Sequence, residues 1–246
     1  MIEAADIRTP ESIATAEAKC DSLQRLVMRQ FGDCTLYNAD CLDVLAGLKA
    51  DAVITDPPYG IAYDTAQEKQ SPDAKQIFDA VIGDEVPFDA KHLMGYRDVI
   101  LWGANNYSDQ IPKGGQWYFW DKVVQNGLKV RISEAEYAWH KRGTKPRGFR
   151  HMWCGPYKAS ERGIRAEHPT QKPIALMQWC VELAKLKNGD TVLDPYMGSG
   201  STGIACIRAG IKFIGIEKDK RHFETACERI RCELAQGVLL PHNEKS

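Results

Sequence analysis

Two stretches, Asp56-Pro57-Pro58-Tyr59 and, far downstream, Asp194-Pro195-Tyr196-Met197-Gly198-Ser199-Gly200, have residue types and spacing that could do chemistry. Each acid closes a short apolar run, residues 52–55 in one case and 191–193 in the other, of the kind that makes a buried strand. In the first stretch proline fixes φ and removes a competing N–H donor, so a carboxylate and a rigid carbonyl are held together beside an aromatic ring. In the second, Gly198, Gly200 and Gly203 satisfy G-x-G-x-x-G between a strand and a helix, and Glu217 ends the next strand 19 residues after Gly198. Such glycines let the backbone approach a ligand closely, and the acid can take a ribose diol in two hydrogen bonds. No lysine follows the glycines, which excludes a P-loop.

Asp194 stands directly before the glycines, where it would repel a pyrophosphate. It suits a ligand carrying an ammonium and a sulfonium, which is the chemistry of S-adenosylmethionine. Only 29 residues follow Glu217, enough for one helix and no third strand. The third strand of a nucleotide-binding half is therefore expected from the N-terminal part, as the one ending at Asp40, and the sheet is expected to be circularly permuted.

The elements that must position these residues are legible around them. Residues 34–60 read as strand, turn, short helix and strand. Residues 98–103, 115–122 and 134–142 read as further strands, and 173–187 as a helix with Pro173 in its first turn. A strand at 191–194, a helix closed by Gly210, a strand at 212–219 and a helix from Lys220 follow. Ile13, Cys20, Leu23, Leu26 and Val27 share a helical face, which predicts an amphipathic helix over 11–30. Seven acids between Asp64 and Asp89, with little periodicity, predict a long loop or lid over 61–92. Trp117, Trp120 and Trp139 are expected in the core. Strands alternating with helices make this an α/β protein, a doubly wound, mostly parallel sheet.

The sequences DPPYG, HPTQKP and DPYMGSGSTGIAC…FIGIEKD, in that order, resemble the β-group (permuted) S-adenosylmethionine-dependent amino-methyltransferases of DNA, over roughly residues 33–236. The resemblance implies a Rossmann-like methyltransferase fold with a small basic recognition insertion. It divides the chain into an N-terminal helical extension (1–32), one methyltransferase domain (33–240) and a tail (241–246). Within the domain, 33–142 would be the catalytic half, 143–167 a short target-recognition segment and 168–240 the cofactor-binding half.

The same resemblance implies roles for residues. Asp56, Pro57, Pro58 and Tyr59 would be catalytic. Asp194, Pro195, Tyr196, Gly198, Ser199, Gly200, Ser201 and Thr202 would hold the cofactor, with Glu217 on its ribose, and Asp40 and Cys41 near its adenine. His168, Thr170 and Lys172 would shape its methionine end. An exocyclic amino nitrogen is a poor nucleophile, because its lone pair is delocalised into the ring. Acceptance of its hydrogens by the Asp56 carboxylate and the Pro57 carbonyl would favour a pyramidal nitrogen, with Tyr59 stacked on a base flipped out of the duplex. Neither a metal nor a covalent intermediate is needed, and S-adenosylhomocysteine would be the product. The expected target is adenine N6. Cytosine N4 is the alternative, since the related cytosine enzymes more often carry serine where Asp56 stands, and a catalytically silent nucleic-acid-binding relative is a further one.

Between Lys141 and Arg165 there are eight Lys or Arg and a single acid, Glu161. Interleaved with Phe149, His151, Trp153 and Tyr157, they suit phosphate contact and stacking, with Lys141, Arg142, Lys145, Arg147 and Arg150 as candidate contacts to double-stranded DNA. The family suggests a homodimer. A formal net charge of −1 over 246 residues neither requires nor excludes a polyanionic partner. The chain has no apolar run of membrane-spanning length and no signal-peptide layout. Eight cysteines, without a C-x-x-C pair, are expected as reduced thiols in a cytoplasmic protein.

Overall fold

The fold, a computed structural model describing residues 27–60, 84–124, 133–154, 157–161 and 171–239, is built on strands covered on both faces. Val99, Ile100, Leu101 and Trp102 form one such strand, and all four are fully buried. Ile100 and Trp102 face one hydrophobic cluster, Val99 and Leu101 the other, as the two-residue alternation of a strand requires.

In chain order the strands are β1 (Val27–Phe31), β2 (Cys34–Asn38), β3 (Ala52–Thr55), β4 (Val99–Trp102), β5 (Gln116–Asp121), β6 (Ala135–His140), β7 (Arg147–Arg150), β8 (Trp153–Cys154), β9 (Tyr157–Lys158), β10 (Thr191–Asp194) and β11 (Lys212–Glu217). The helices are α1 (Cys41–Val44), α2 (Ile174–Ala184), α3 (Ser201–Ala209) and α4 (Lys220–Leu239). Nine strands form one sheet in the order β1-β2-β11-β10-β3-β4-β6-β5-β7, and β8 and β9 form a separate antiparallel pair. From β2 to β4 all neighbours are parallel, while β6 runs antiparallel to both β4 and β5. Residues of α2, α3 and α4 share the cluster on one face, and α1 with short 3-10 turns covers the other.

The tenth strand of the chain thus lies at the centre, beside the third. From β10 the chain moves to β11 on one side, and from β3 to β4 on the other. Order reverses between β10 and β3, the place where a doubly wound sheet opens a crevice at its carboxyl edge. The expected permutation is present, and the strand before Asp40 completes the β10–β11 half.

The N-terminal boundary differs from the expectation. Residues 27–31, of which 27–30 were assigned above to the end of a helix, are an edge strand paired antiparallel with β2 across Gly32 and Asp33. Gly32 takes φ +52°, which a two-residue hairpin turn needs and glycine supplies. Arg29 on this strand makes a forked pair with Glu224 of α4, 2.5 and 2.8 Å, and lies over the Phe223 ring. Helical spacing at Leu23, Leu26 and Val27 carried no sign of these long-range partners. Residues 1–26 and the tail 241–246 lie outside the described residues.

One further expectation changes. Trp120 and Trp139 are buried, but Trp117 is 39% exposed, on the opposite face of β5 from Tyr118 and Trp120. In the basic segment from 143, Arg147–Arg150 joins the main sheet as β7, parallel to β5. Cys34, Cys41, Cys180, Cys206 and Cys227 are buried free thiols, and Cys232 is an exposed one. No helix among the described residues is long and apolar enough to cross a membrane.

Candidate active site

Asp56 follows β3 and Asp194 ends β10, and a side-chain bond ties these two strand ends together. Thr55 Oγ1 donates to Asp194 Oδ1 at 2.6 Å, with Thr55 fully buried and Asp194 nearly so. Asp194 also accepts from Thr202 Oγ1 at 2.6 Å and from the Tyr196 amide at 3.1 Å. Burial pushes its pKa up to about 6 against these three donors. Its carboxylate therefore fastens β3, the glycine turn and the first turn of α3 to one another.

In that turn Gly198 and Gly200 take φ +51° and +81°, conformations that favour glycine. A Cβ on Gly203 would lie 2.7 Å from Ile230 and 2.8 Å from Phe213, so the third glycine lets α3 pack against α4 and β11. The hydroxyls expected to face a cofactor are turned inward instead. Thr202 bonds Asp194. Ser199 donates to Gln171 at 3.3 Å and accepts from Arg229 at 2.8 Å, and Ser201 accepts from Arg229 at 3.4 Å. Arg229 on α4 also grips the Ser199 carbonyl at 2.6 Å. Its helical position, one among many basic residues of α4, gave no sequence signal for this.

Glu217 ends β11 beside β10 and half-buried. Its Oε2 accepts from the Gly198 amide at 3.0 Å and its Oε1 from the Asp219 amide at 2.7 Å. Each oxygen keeps a second lone pair for a ligand hydroxyl. Burial raises its pKa to about 7, the two amides opposing the shift. Beyond the end of the neighbouring β2, Asp40 caps α1 through the Leu42 amide at 3.1 Å and pairs with Lys218 at 2.9 Å. The buried Cys41 thiol is pushed up to about 11, chiefly by burial. The Tyr196 hydroxyl meets His92 Nε2 at 3.1 Å, and a pocket of about 360 Å³ lined by Leu42, Leu45, Ala46, His92 and Tyr96 opens on this side. Glycine backbone, an acid with free lone pairs and an apolar pocket are a donor set that fits an adenosine-type ligand.

On the β3 side, Tyr59 Oη donates to Asp56 Oδ1 at 2.5 Å. Gly103, with φ +68° at the end of β4, leaves the room Tyr59 occupies, since a Cβ there would stand 1.9 Å from the ring. Gly60 is held by its amide on Asp84 Oδ1 at 2.9 Å, which fixes the end of the turn. Lys172, just before α2, is buried with its ammonium against Asp56 Oδ2, 3.3 Å from the Tyr59 hydroxyl and 3.1 Å from Glu136 Oε2. Lys122, at the end of β5, pairs with Glu136 Oε1 at 2.7 Å. Asp56, Lys172, Glu136 and Lys122 thus form a row of alternating charge along the carboxyl edge. Burial raises the Asp56 pKa, with the Lys172 ammonium pulling against it. Burial also opposes ionisation of Glu136, but its two ammonium neighbours outweigh that and bring it down to about 2. Lys172 is raised, because two carboxylates outweigh its burial.

The structure thus gathers Asp56–Tyr59, Lys172, Asp194–Thr202, Glu217 and Asp40 at one edge of the sheet. His168 and Thr170 lie outside the described residues. Of the acidic loop, 61–83 lies outside them, while Phe88 and Ala90 belong to the core. Among the basic residues, Arg142, Lys145, Arg147 and Arg150 are exposed, Arg150 lying 3.8 Å from Asp121. Lys141 is not free for phosphate, as its ammonium donates to the carbonyls of Met94 at 2.8 Å and Tyr96 at 2.7 Å. Phe149, expected to stack on nucleic acid, packs on Trp179 of α2, and Trp153 packs at the core's margin beneath Lys158.

The family model described as DNA methylase matches residues 79–228, more than half of the chain. The chain belongs to the DNA methylase family. The match takes in the glycine turn and Glu217 and begins after Tyr59. Type II methyltransferase M2.DpnII of Streptococcus pneumoniae is 39% identical over 82 residues, 33% of this chain and 30% of that protein. Type II methyltransferase M2.LlaDCHI of Lactococcus lactis subsp. cremoris is 36% identical over 87 residues, 35% of this chain and 32% of that one. The aligned stretch thus spans about a third of the length of each of these curated relatives. Among solved structures, the PvuII DNA methyltransferase (cytosine-N4-specific) shares the fold, with a TM-score of 0.51 at 16% identity over 86% of this chain and 88% of that one. The M1.HpyAVI–SAM complex matches at a TM-score of 0.47 and 24% identity, over 80% of this chain and 99% of that one.

Glu136, Lys122, Asp84 and Arg229 complete the site and escaped the sequence reading. Glu136 was legible only as part of a strand. Nothing local marks it as the neighbour of Lys172.

Proposed function

We propose that this member of the DNA methylase family is an S-adenosylmethionine-dependent methyltransferase acting on the N6 amino group of adenine in double-stranded DNA. The observation that carries the reading is the Thr55–Asp194 bond, which fixes the acid of Asp56–Tyr59 next to the glycine turn at the point where strand order reverses. Bound S-adenosylmethionine would supply a methyl group activated on a sulfonium. Glu217 would take its ribose hydroxyls and Asp40 would lie toward its adenine, with His168, Thr170 and Lys172 toward its methionine end.

The chain's own residues account for the rest. Asp56 and the Pro57 carbonyl accept from the two amino hydrogens of the flipped adenine, which returns the nitrogen lone pair from the ring. The cofactor would give up its methyl with the S–C electron pair left on sulfur, and the surplus proton on the amino nitrogen would pass to Asp56 and then to water. Tyr59, seated on Gly103, offers a ring face to the base. Burial keeps water from competing for the Asp56 carboxylate. The exposed cations Arg142, Lys145, Arg147 and Arg150 would meet phosphates.

The test is transfer of labelled methyl to unmethylated genomic DNA, followed by nucleoside digestion and mass spectrometry. N6-methyladenine is expected. N4-methylcytosine would overturn the choice of base, and unlabelled DNA despite cofactor binding would overturn the reaction.

A further inference from the structure

Both oxygens of Asp56 are engaged in the structure, Oδ1 by the Tyr59 hydroxyl and Oδ2 by the Lys172 ammonium. An ammonium is tetrahedral and donates N–H bonds, as an activated amino group would. Each Asp56 oxygen keeps a second lone pair, but an ammonium and an amino group on one oxygen would crowd donor hydrogens together, so Lys172 competes with the target amino group for Asp56 and the base is held best when the ammonium moves off. A buried cation cannot simply be released, since an unpaired charge at that depth is costly. Glu136 Oε2 already stands 3.1 Å from the same nitrogen. The hold of Glu136 on Lys172 is in turn divided, because Lys122 engages its other oxygen at 2.7 Å. Topology explains the grouping. The carboxyl end of β5 and the amino end of β6 lie at the same sheet edge as the end of β3, which brings Lys122 and Glu136 to Asp56.

Resting on the function proposed above, we propose that Lys172 is a gate standing in for the target amino group at Asp56, and that Glu136 is a positioning residue that takes the ammonium over when the base enters. Lys122 sets how strongly Glu136 can do so. Removing the negative charge of Glu136 makes base entry harder, because Lys172 then has only Asp56. Removing Lys122 makes it easier, because Glu136 then has only Lys172. A merely structural row of charges would behave otherwise, with either loss harming the site in the same direction.

The experiment uses the full chain and a duplex carrying the target mapped from its methylation products, with the same duplex abasic at the target base as reference. The readouts are the ratio of the two dissociation constants, kcat/KM for the target duplex, and cofactor affinity. Glu136→Gln, of equal size but uncharged and with an N–H donor turned toward one of the two ammonium groups, should lower the target-over-abasic preference and kcat/KM about tenfold, the loss of one charge-assisted bond. Lys122→Met should raise both severalfold, and Glu136→Asp should restore most of the preference. Cofactor affinity should stay within about twofold in every variant, which also reports that each has folded. Variants that shift the preference in the same direction, or not at all, while the wild type methylates DNA overturn the gate alone. A wild type that methylates no DNA overturns the underlying reading, and the gate with it.

Discussion

Lowering the pH from about 8 to about 6 should weaken S-adenosylmethionine binding roughly tenfold through Glu217 alone. The carboxylate accepts from the amides of Gly198 and Asp219, and its remaining lone pairs are the ones a ribose diol would use. Burial holds its pKa at about 7, so it loses its charge within this interval. A carboxylate accepts from two hydroxyls, while the protonated acid has a hydrogen to place and one acceptor fewer. With a pKa near 7 the ionised fraction is about nine-tenths at pH 8 and about one-tenth at pH 6, a ratio of about ten, or about 1.4 kcal/mol of binding free energy. Folding runs the other way. An acid whose pKa is raised by folding favours the folded state below its unfolded value near 4.5, and that contribution is lost as pH rises toward 7. The ligand-free protein should therefore lose stability from this group over the same interval in which the ligand gains affinity. Calorimetric titration across the range measures the affinity directly. Glu217→Gln supplies the control, since Asp194, near 6, also titrates there. The variant should bind more weakly at pH 8, because its amide would set an N–H donor against a backbone donor, and its affinity should lose the tenfold slope. A flat wild-type profile, or an equal slope in the variant, refutes the role given to Glu217.

Thr55→Val keeps shape but takes one of three donors from the buried Asp194. It should cost about 1.5–3 kcal/mol, seen as a melting temperature lower by several degrees in differential scanning calorimetry. Asp56→Ala should abolish methyl transfer while leaving cofactor affinity within about twofold, and a large loss of affinity in titration would place Asp56 in the wrong role. Charge reversal of Arg147 and Arg150, both exposed on β7, should weaken DNA binding uniformly across sequences. Anisotropy titrations at several salt concentrations should show the slope of log K against log salt reduced by about one for each phosphate no longer neutralised.

The placement of the polar residues at the strand ends was legible in the sequence because its pattern is local. Apolar runs stopping at Thr55 and Asp194, the glycines after Asp194 and the acid 19 residues beyond Gly198 follow from spacing alone. The permuted order of the sheet was also expected, and the strand before Asp40 does pair in parallel with β11. Hydrophobic alternation located most strands for the same reason, each reporting its own burial. Where alternation and helical spacing overlap in five residues, as at 27–31, pairing with β2 and the Arg29–Glu224 fork decided the outcome.

What only the tertiary structure decided is which polar group each functional side chain meets. Ser199, Ser201 and Thr202 read as ligand contacts because they lie in the glycine turn, next to Gly198 and Gly200. The structure turns them inward because Asp194 and Arg229 are nearer and buried polar groups must find partners. Lys141 read as a phosphate contact from its basic neighbours, yet the carbonyls of Met94 and Tyr96, just past a 3-10 turn, take its ammonium. The row from Asp56 through Lys172 and Glu136 to Lys122 joins four elements, with its first two members 116 positions apart in the chain. No spacing rule reaches that far. The row exists because the carboxyl ends of β3 and β5, the amino end of β6 and the entry to α2 meet at one sheet edge, where burial makes each charge seek the opposite one.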